Sequence, residues 1–270
     1  RELLDRKGGD AALPADSGNL LEAIARDPFP IPIADDRELY HFNDDVAYWI
    51  SGYRDFLKVA SVCSDFGMPL VPGRSILDMG CASGRVLRHL LTQKSSLRVW
   101  GCDIKLRHVE WVRQFLPPRC RLLHCTQLPS LPIPDRSLDV IYAFSVFSHI
   151  DEFESAWLAE LSRCLRPNGL AILSIHSHDT WGMVPSLPLF AKYTGLANHI
   201  PDYTISRQLF EQDLPRDKTV LWWNTSTAYN CDVYYHADYI RREWGRFFDV
   251  LDVQRCGHNY QDLVVLRQAE

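Results

Sequence analysis

Apolar residues along the chain alternate between short runs, typical of buried strands, and stripes at 3.6-residue spacing, typical of helices. Short apolar runs predict strands at residues 75–78, 98–104, 121–125, 138–147 and 169–177. Helical stripes follow the first, second and fourth of these runs. Strands that alternate with helices in this way predict a doubly wound α/β fold built on a mostly parallel sheet.

The longest apolar run, Leu138 to Phe147, is typical of a central strand buried on both faces. The helix after it is predicted to be capped by Asp151, with Glu154 three residues later as the partner in a capping box. The buried stripe of this helix is expected to consist of Phe153, Trp157, Leu161 and Leu165.

Two further helical stripes flank the first strands. Residues 44–66 predict a helix in which Ser51 and Gly52 mark a break or kink. Residues 105–116 predict the second helix of the core. Its inward positions are expected to be Leu106, Val109, Val112 and Leu116, with Trp111 off that stripe.

The ends of the chain and one long interior segment depart from this alternation. Residues 1–27 read as an arm lying on the domain, with a disordered tail as the alternative. Residues 179–235 are rich in Trp, Tyr and Phe, and we predict an insertion that folds over the sheet as a lid. Aromatic surfaces suit an apolar or sugar-like ligand, although these residues would equally serve as the insertion's own core. The closing segment is predicted to be a helix over 237–247 followed by a hairpin, with strands at 250–253 and 263–266.

The predicted organisation thus has four parts: an arm and helical cover (1–70), an α/β core (71–178), the insertion or lid (179–235) and a closing segment (236–270).

The stretch from Ser75 to Arg85 predicts a strand, a glycine loop and the start of a helix. In an open α/β sheet this arrangement makes a ligand crevice at the carboxyl end of the strand. Gly80 and Gly84 permit a tight loop and close approach of a ligand, and the free N–H groups of the helix would attract a carboxylate or phosphate. A plain strand-to-helix turn without a ligand is the alternative.

The second strand ends in Asp103, about 20 residues beyond the loop, where an acid suits the two hydroxyls of a ribose. The loop spacing is G-x-x-x-G, which differs from the G-x-G-x-x-G of dinucleotide sites and lacks the Gly-Lys-Ser/Thr of a phosphate-binding loop. A nicotinamide dehydrogenase is therefore disfavoured.

Four motifs in order resemble those of the class I S-adenosylmethionine-dependent methyltransferases, in their small-molecule branch. They are I-L-D-M-G-C-A-S-G-R, the acid Asp103, P-D-R-S-L-D-V-I-Y-A-F-S-V-F-S-H-I and L-R-P-N-G-L-A-I-L-S. The resemblance covers roughly residues 74–177, with a weaker echo in 236–267. It implies a Rossmann-like, seven-stranded sheet with an antiparallel last strand, and S-adenosyl-L-methionine as the cofactor.

The resemblance also implies which residues bind that cofactor. They are Asp78, Gly80, Cys81, Ala82, Ser83, Gly84, Arg85, Asp103, Ile104, Thr126, Gln127, Phe144 and Ser145. A helix before the domain often closes over the cofactor in this family, which adds Gly52 and Tyr53 at its methionine end, with ordinary helix packing as the alternative. Where the family often has an acid for the adenine amino group, this chain has Cys125, Thr126 and Gln127 instead.

Methyl transfer to a hydroxyl group requires a base that titrates near neutrality, which favours histidine. His149 is the first candidate because it follows the fourth strand, where acceptors lie in the family. His176 and His178 at the end of the fifth strand come next, and His236 after them. His149 as a helix-flanking residue bonded to backbone is the alternative, and an amine acceptor would need positioning alone.

Charge and composition exclude several other classes. The net charge of −5 and the isoelectric point near 6.1 argue against a nucleic-acid-binding face. No apolar run reaches transmembrane length, so no membrane association is expected. The 8 cysteines include no C-x-x-C pair, which suggests neither a metal site nor a disulfide framework and fits a cytoplasmic protein.

The sequence therefore predicts a methyltransferase for a small-molecule acceptor, with O-methylation of a sugar or secondary metabolite ahead of N-methylation. A non-catalytic cofactor-binding module of a larger protein is the alternative. Because the chain starts at Arg1, neighbouring domains stay open, as does a homo-oligomer.

Overall fold

The computed structural model describes residues 17–37, 40–225 and 229–270, which fold around one nine-stranded sheet. Most of the predicted arm, residues 1–16, lies outside the described residues. The strands are β1 (Ser75–Met79), β2 (Arg98–Asp103), β3 (Arg121–His124), β4 (Leu138–Ala143), β5 (Leu165–Ser177), β6 (Lys218–Trp222), β7 (Cys231–Tyr235), β8 (Asp249–His258) and β9 (Gln261–Arg267). The helices are α1 (Ser17–Ala25), α2 (Asp45–Asp65), α3 (Leu87–Gln93), α4 (Leu106–Phe115), α5 (Glu154–Cys164), α6 (His178–Met183), α7 (Pro188–Gly195), α8 (Arg207–Phe210) and α9 (Ala237–Glu243).

The sheet confirms the predicted α/β fold. Its parallel part has the order β3-β2-β1-β4-β5, and β9 then lies antiparallel between β5 and β8. These strands are the implied seven-stranded sheet with an antiparallel last strand. The remaining two strands of the nine, β6 and β7, come from the insertion.

The strand β5 joins the seven-stranded part of the sheet to the two strands of the insertion, because β5 is longer than its antiparallel neighbour β9. Residues 170–175 of β5 pair with β9, whereas His176 and Ser177 pair with Tyr234 and Tyr235 of β7. The insertion thus extends the sheet at the carboxyl end of β5, the edge at which such sheets bind ligands.

Part of the insertion's aromatic content forms a core of its own. Trp181, Tyr193 and Phe210 pack together in a separate buried cluster, with Trp223 and Tyr234. The exposed aromatic residues Trp222 and Tyr229 do not belong to that cluster. The interpretation of these aromatic residues as the insertion's own core therefore holds for the clustered ones, and a lid over the crevice stays a prediction.

Several helix details differ from the sequence-based prediction. The helix α2 continues through Gly52 from Asp45 to Asp65, so the predicted break at this glycine is absent. In α4, Leu106 is exposed and Trp111 is buried, which reverses their predicted roles. Asp151 does not cap α5, because its carboxylate pairs with Lys218 at 2.8 Å and the cap position is Phe153, which is partly exposed.

A buried ion pair fixes the start of the described chain to the α/β core. Asp27 accepts from Arg88 of α3 through both carboxylate oxygens, at 2.6 and 3.0 Å, and also from the indole N–H of Trp49 at 2.8 Å. Leu20 and Ala23 of α1 also lie in the buried cluster that contains Trp49, so the described part of the predicted arm packs on the domain. No helix in the described residues is long and apolar enough to cross a membrane.

Candidate active site

A cavity of about 650 Å³ opens at the carboxyl ends of β1, β2 and β4. This is the edge that the glycine loop predicts, and the volume is in the usual range of small-molecule sites. Of the predicted cofactor residues, those that line it are Asp78, Gly80, Cys81, Ala82, Ser83, Arg85, Asp103, Ile104, Thr126, Gln127, Phe144 and Ser145.

The two glycines of the loop are required by packing as well as by backbone conformation. Gly80 has a φ of 79°, and a Cβ atom there would lie 2.4 Å from Val146 Cγ2. Gly84 has a φ of 80°, and its Cβ would lie 2.7 Å from Leu116 Cδ1. Gly84 itself does not line the cavity, and its missing side chain allows the loop to pack against Leu116.

The carboxylate of Asp103 ties the loop to the end of β2. It accepts a hydrogen bond from the Ala82 N–H at 2.9 Å on one oxygen and from the Lys105 N–H at 2.8 Å on the other. A carboxylate has about four lone-pair sites, so each oxygen retains capacity for a hydroxyl donor in the cavity.

Asp78 at the end of β1 lies in the cavity wall and is almost completely buried. Burial raises its pKa from 3.8 to about 7, because a desolvated carboxylate is disfavoured. A cationic ligand group in the cavity would restore the ionised form.

Gly52 and Tyr53 do not line the cavity, which departs from their predicted contact with the cofactor. A Cβ on Gly52 would lie 2.1 Å from the carbonyl oxygen of Arg85, so the glycine allows α2 to pack on the loop. Tyr53 is buried against Trp49 and His89. It is Tyr48, one turn earlier on α2, that reaches the cavity.

The N-terminal segment adds a cation that the sequence pattern does not reveal. Arg37 lines the cavity with a buried side chain that pairs with Asp45 at 2.9 Å and donates to the Phe42 carbonyl. Its Nη1 is buried and has no hydrogen-bond partner among the described residues. An arginine with an unsatisfied donor beside a cavity is suited to a ligand carboxylate.

A second buried network joins distant parts of the chain at the same cavity. Asp55 of α2 lies 2.5 Å from Arg85 and 3.1 Å from Nε2 of His258, the last residue of β8. The His258 ring stacks on Phe144 with ring centroids 4.3 Å apart. Desolvation raises the pKa of Asp55, but His258 and Arg85 outweigh it and hold that pKa below its usual value.

His149 lies at the other end of the cavity, on a single turn of 3₁₀ helix (Phe147–His149) after β4. Its Nδ1 is 2.8 Å from Oδ1 of Asp232 and 3.0 Å from the carbonyl oxygen of Cys231, both on β7. The ring of Tyr229 stacks on the imidazole, with centroids 4.3 Å apart. The hydrogen bond of Nδ1 is to the Cys231 carbonyl, whereas Oδ1 of Asp232 lies close to the ring without a hydrogen-bond partner among the described residues. A neutral imidazole protonated on Nδ1 has its lone pair on Nε2.

Asp232, which lies beside His149, is fully buried and was not singled out by the sequence analysis. Burial would raise its pKa, but His149 and Lys192 hold it well below the usual value, so the group is ionised. Lys192 donates to Oδ2 at 2.8 Å and the Tyr193 hydroxyl donates to the same oxygen at 2.6 Å. The only sequence signal was an acid inside the otherwise apolar run of β7.

The other predicted bases do not line the cavity. His176 is buried, and desolvation lowers its pKa to about 3, so it stays neutral. His178 begins α6 and stacks on His236, with ring centroids 5.0 Å apart. Neither His178 nor His236 lines the cavity, so His149 alone of these four histidines does.

The cavity near His149 is bordered by charged and aromatic side chains. Asp151, Glu152 and Trp222 line both the cavity and an adjoining surface space of about 730 Å³, to which Asp202, Arg216 and Lys218 add one carboxylate and two cations. Trp222 is 41% exposed, which is unusual for so large an apolar side chain. A ligand that enters here meets charges of both signs and a flat aromatic surface.

Comparison with known families and proteins shows what this chain is similar to. Residues 77–173 match the family described as "Methyltransferase domain". A probable S-adenosylmethionine-dependent methyltransferase of Mycolicibacterium smegmatis is 28% identical over 60% of this chain and 58% of that protein. A tRNA N(3)-cytidine methyltransferase of Mus musculus is 34% identical over 38% of this chain and 30% of that protein. A malonyl-[acyl-carrier protein] O-methyltransferase of Hahella chejuensis is 27% identical over 37% of the chain and 36% of that protein.

The matched regions thus span between 30% and 58% of these relatives. Among solved structures, a Burkholderia thailandensis 1,6-didemethyltoxoflavin-N1-methyltransferase with bound S-adenosylhomocysteine aligns with a TM-score of 0.54. The alignment covers 97% of this chain and 94% of that one at 15% identity. A Clostridium acetobutylicum S-adenosylmethionine-dependent methyltransferase aligns with a TM-score of 0.53 over 81% of this chain and 92% of that one, at 16% identity. At these identities the two structures support the fold.

Proposed function

The chain carries a class I, S-adenosylmethionine-dependent methyltransferase domain, and on this premise we propose that it methylates a hydroxyl group of a small molecule. The observation that carries this proposal is the contact between His149 and Asp232 at the acceptor end of the cavity. A buried carboxylate that orients a histidine is the arrangement expected of a general base.

The cavity has the donors and acceptors that S-adenosyl-L-methionine would require. Asp103 retains lone pairs for the ribose hydroxyls, and Thr126 and Gln127 line the same cavity and would face the adenine. The buried Arg37, with its unsatisfied Nη1, suits the methionine carboxylate. These residues support the cofactor assignment, with Asp78 available for the ammonium group.

The bound cofactor would supply a methyl group on a positively charged sulfur, open to in-line displacement. The acceptor hydroxyl would donate its proton to Nε2 of His149 as its oxygen forms the new bond to the methyl carbon. Asp232 would then stabilise the imidazolium through Nδ1. The stacked Tyr229 would keep the ring in place and exclude water from one face.

The overall charge supports a small acceptor over a nucleic acid, because a net charge of −5 would repel phosphate groups. The space beside the cavity is mixed in charge and adds nothing to this argument, since Arg216 and Lys218 line it together with the three carboxylates. The match to the tRNA methyltransferases is confined to 116 residues. The exposed Trp222 would stack on an apolar or sugar ring, which supports a sugar or secondary metabolite as the acceptor. All 8 cysteines are free thiols, which supports a cytoplasmic location.

Calorimetry and turnover measurements test this function. We expect S-adenosylmethionine to bind and NAD not to bind, and a screen of sugars and aromatic hydroxyl compounds to yield a methylated product. His149→Ala should lower kcat by about 10²- to 10⁴-fold with cofactor affinity nearly intact. The acidic limb of the pH–rate profile should disappear.

The comparison variant is His178→Ala, which alters a histidine outside the cavity and should keep kcat. Normal turnover in His149→Ala would remove the base and favour an amine acceptor, for which proximity suffices. Cofactor binding without turnover of any acceptor would favour the non-catalytic module.

A further inference from the structure

One carboxylate is shared between the candidate base and a lysine. Asp232 faces His149 with Oδ1 and Lys192 of α7 with Oδ2, each at 2.8 Å. Because Asp232 is fully buried, its single negative charge is not screened by water and acts on both groups strongly. In a simple histidine–carboxylate dyad the whole charge of the carboxylate acts on the imidazole, whereas here Asp232 acts on both His149 and Lys192.

Aromatic rings hold the lysine in this position. The Lys192 ammonium lies 4.6 Å from the ring centroid of Trp223 and 5.8 Å from that of Tyr229. Tyr229 in turn stacks on His149. An ammonium over aromatic faces is attracted by their quadrupoles, so the lysine stays beside the dyad although its side chain is 31% exposed.

We propose that Lys192 is a positioning residue for the base: it takes up part of the Asp232 charge and so limits how strongly this carboxylate favours a proton on the second nitrogen of His149. The proposal rests on the role of His149 given above. Its physical reason is that a nearby cation disfavours a second positive charge on the imidazole. With an uncompensated Asp232, the imidazole would bind its proton more tightly and be less available as a base near neutral pH.

The other titratable groups around His149 are the same in every Lys192 variant, so they form a constant background to this effect. His176 of β5, whose ring lies 6.3 Å away, is neutral because burial lowers its pKa to about 3. Lys218 pairs with both Asp151 and Glu154, at 2.8 and 2.5 Å, and Glu152 lines the cavity beside them, so this cluster is negatively charged. The surrounding phenols have pKa values raised by burial and are also neutral: Tyr193, Tyr229, Tyr234 and Tyr260.

An NMR titration of the histidine side chains tests the proposal without an acceptor. The His149 signal is identified by its loss in His149→Ala. In Lys192→Met, which keeps the length of the stem and removes the charge, the midpoint of the His149 titration should move up by about 1 pH unit. Lys192→Arg, which restores the charge, should return the midpoint toward the wild-type value.

The activity profile gives a second readout. The acidic limb of kcat in Lys192→Met should move to higher pH by the same amount, with turnover lost below the midpoint and largely recovered at alkaline pH. A loss of kcat that is equal at all pH values, with an unchanged titration midpoint, would overturn the proposal and leave Lys192 as a tether between α7 and β7.

Two further variants separate charge from structure. Tyr193→Phe removes a hydrogen bond to the same Asp232 oxygen without a change of charge, so the midpoint should move much less than in Lys192→Met. If circular dichroism shows that Lys192→Met is unfolded, Lys192→Gln repeats the measurement with an uncharged side chain that still donates to Asp232. Normal kcat in His149→Ala would defeat the base itself, whereas the NMR midpoint reports on Lys192 alone.

Discussion

At the scale of single residues, Asp78 couples ligand binding to stability. Its folded-state pKa of about 7 is above the ordinary value of 3.8, so the folded protein holds a proton that the unfolded chain releases. The contribution to stability is therefore fully present below the ordinary value and is lost as the pH rises through about 7.

Removal of the Asp78 carboxylate should change stability and cofactor affinity in opposite directions. We expect Asp78→Asn to raise the melting temperature of the cofactor-free protein at pH 8 and to change it little at pH 4. Cofactor affinity should fall, because the cationic group of the ligand loses its carboxylate partner. Thermal melts at the two pH values and calorimetric titration measure these outcomes, and a lower melting temperature at pH 8 would contradict the argument.

Substitution of Asp103 is expected to affect only cofactor binding and the glycine loop. Asp103→Ala removes hydrogen bonds to a charged acceptor and should weaken S-adenosylmethionine binding by about 1.5–3 kcal/mol. Asp103→Asn, which keeps one oxygen for the Ala82 N–H, should lose less affinity. Unchanged affinity in Asp103→Ala, measured by calorimetry, would show that the ribose is bound elsewhere.

At the scale of elements, the contact between α2 and the glycine loop depends on one missing methyl group. A Cβ on Gly52 would lie 2.1 Å from a backbone oxygen of Arg85, which cannot rotate away. Gly52→Ala should therefore push α2 off the loop, lowering the free energy of unfolding by about 1–3 kcal/mol and weakening cofactor binding. Gly182→Ala is the matched control, because a Cβ at Gly182, inside α6, meets nothing within 4 Å. Equal stability of the two variants in urea unfolding would refute the close contact.

The same helix shows how far local sequence signals extend. The stripe of α2 and the strand–loop–helix at Ser75 to Arg85 were predicted from neighbours in the chain, and both are present. The role of Gly52 was not predicted, because the residue that it packs against, Arg85, is distant in the sequence. A glycine within a helical pattern is locally typical of a break. His149 could be chosen from its place after β4, whereas Asp232 approaches it only through the pairing of β7 with β5.

At the scale of the whole molecule, the mostly parallel sheet was predicted from the alternation of strands and helices, but the insertion's strands were not. Residues 179–235 were predicted from their aromatic content, which does not distinguish helix from strand. Their β6 and β7 form because the last two residues of β5 extend beyond β9 and offer an unpaired edge. A local sequence pattern does not predict that one strand extends beyond a partner that is distant in the chain.

The buried pair between Asp27 and Arg88 predicts that the N-terminal segment unfolds together with the core. Their side chains are 0% and 1% exposed, so Asp27→Ala would leave an uncompensated buried guanidinium. We expect a loss of about 3–5 kcal/mol in the free energy of unfolding, with one cooperative transition in urea. Glu22→Ala, which breaks the exposed pair with Arg26, is the control and should cost less than about 1 kcal/mol. Two separate transitions in the wild type would contradict this coupling.

The position of Asp232 on β7 has a consequence for how enzymes of this architecture diverge. Most of the proposed cofactor residues lie on one continuous stretch of the chain, from Asp78 to Ser145, with Arg37 added by the N-terminal segment, while the carboxylate that faces the proposed base arrives with the insertion. A gene recombination event that exchanges residues 179–235 would thus replace the acceptor surface and the partner of His149 in a single step. Descendants could change substrate without loss of the donor site, provided that each inherited segment brings an acid to the place where β7 meets the end of β5.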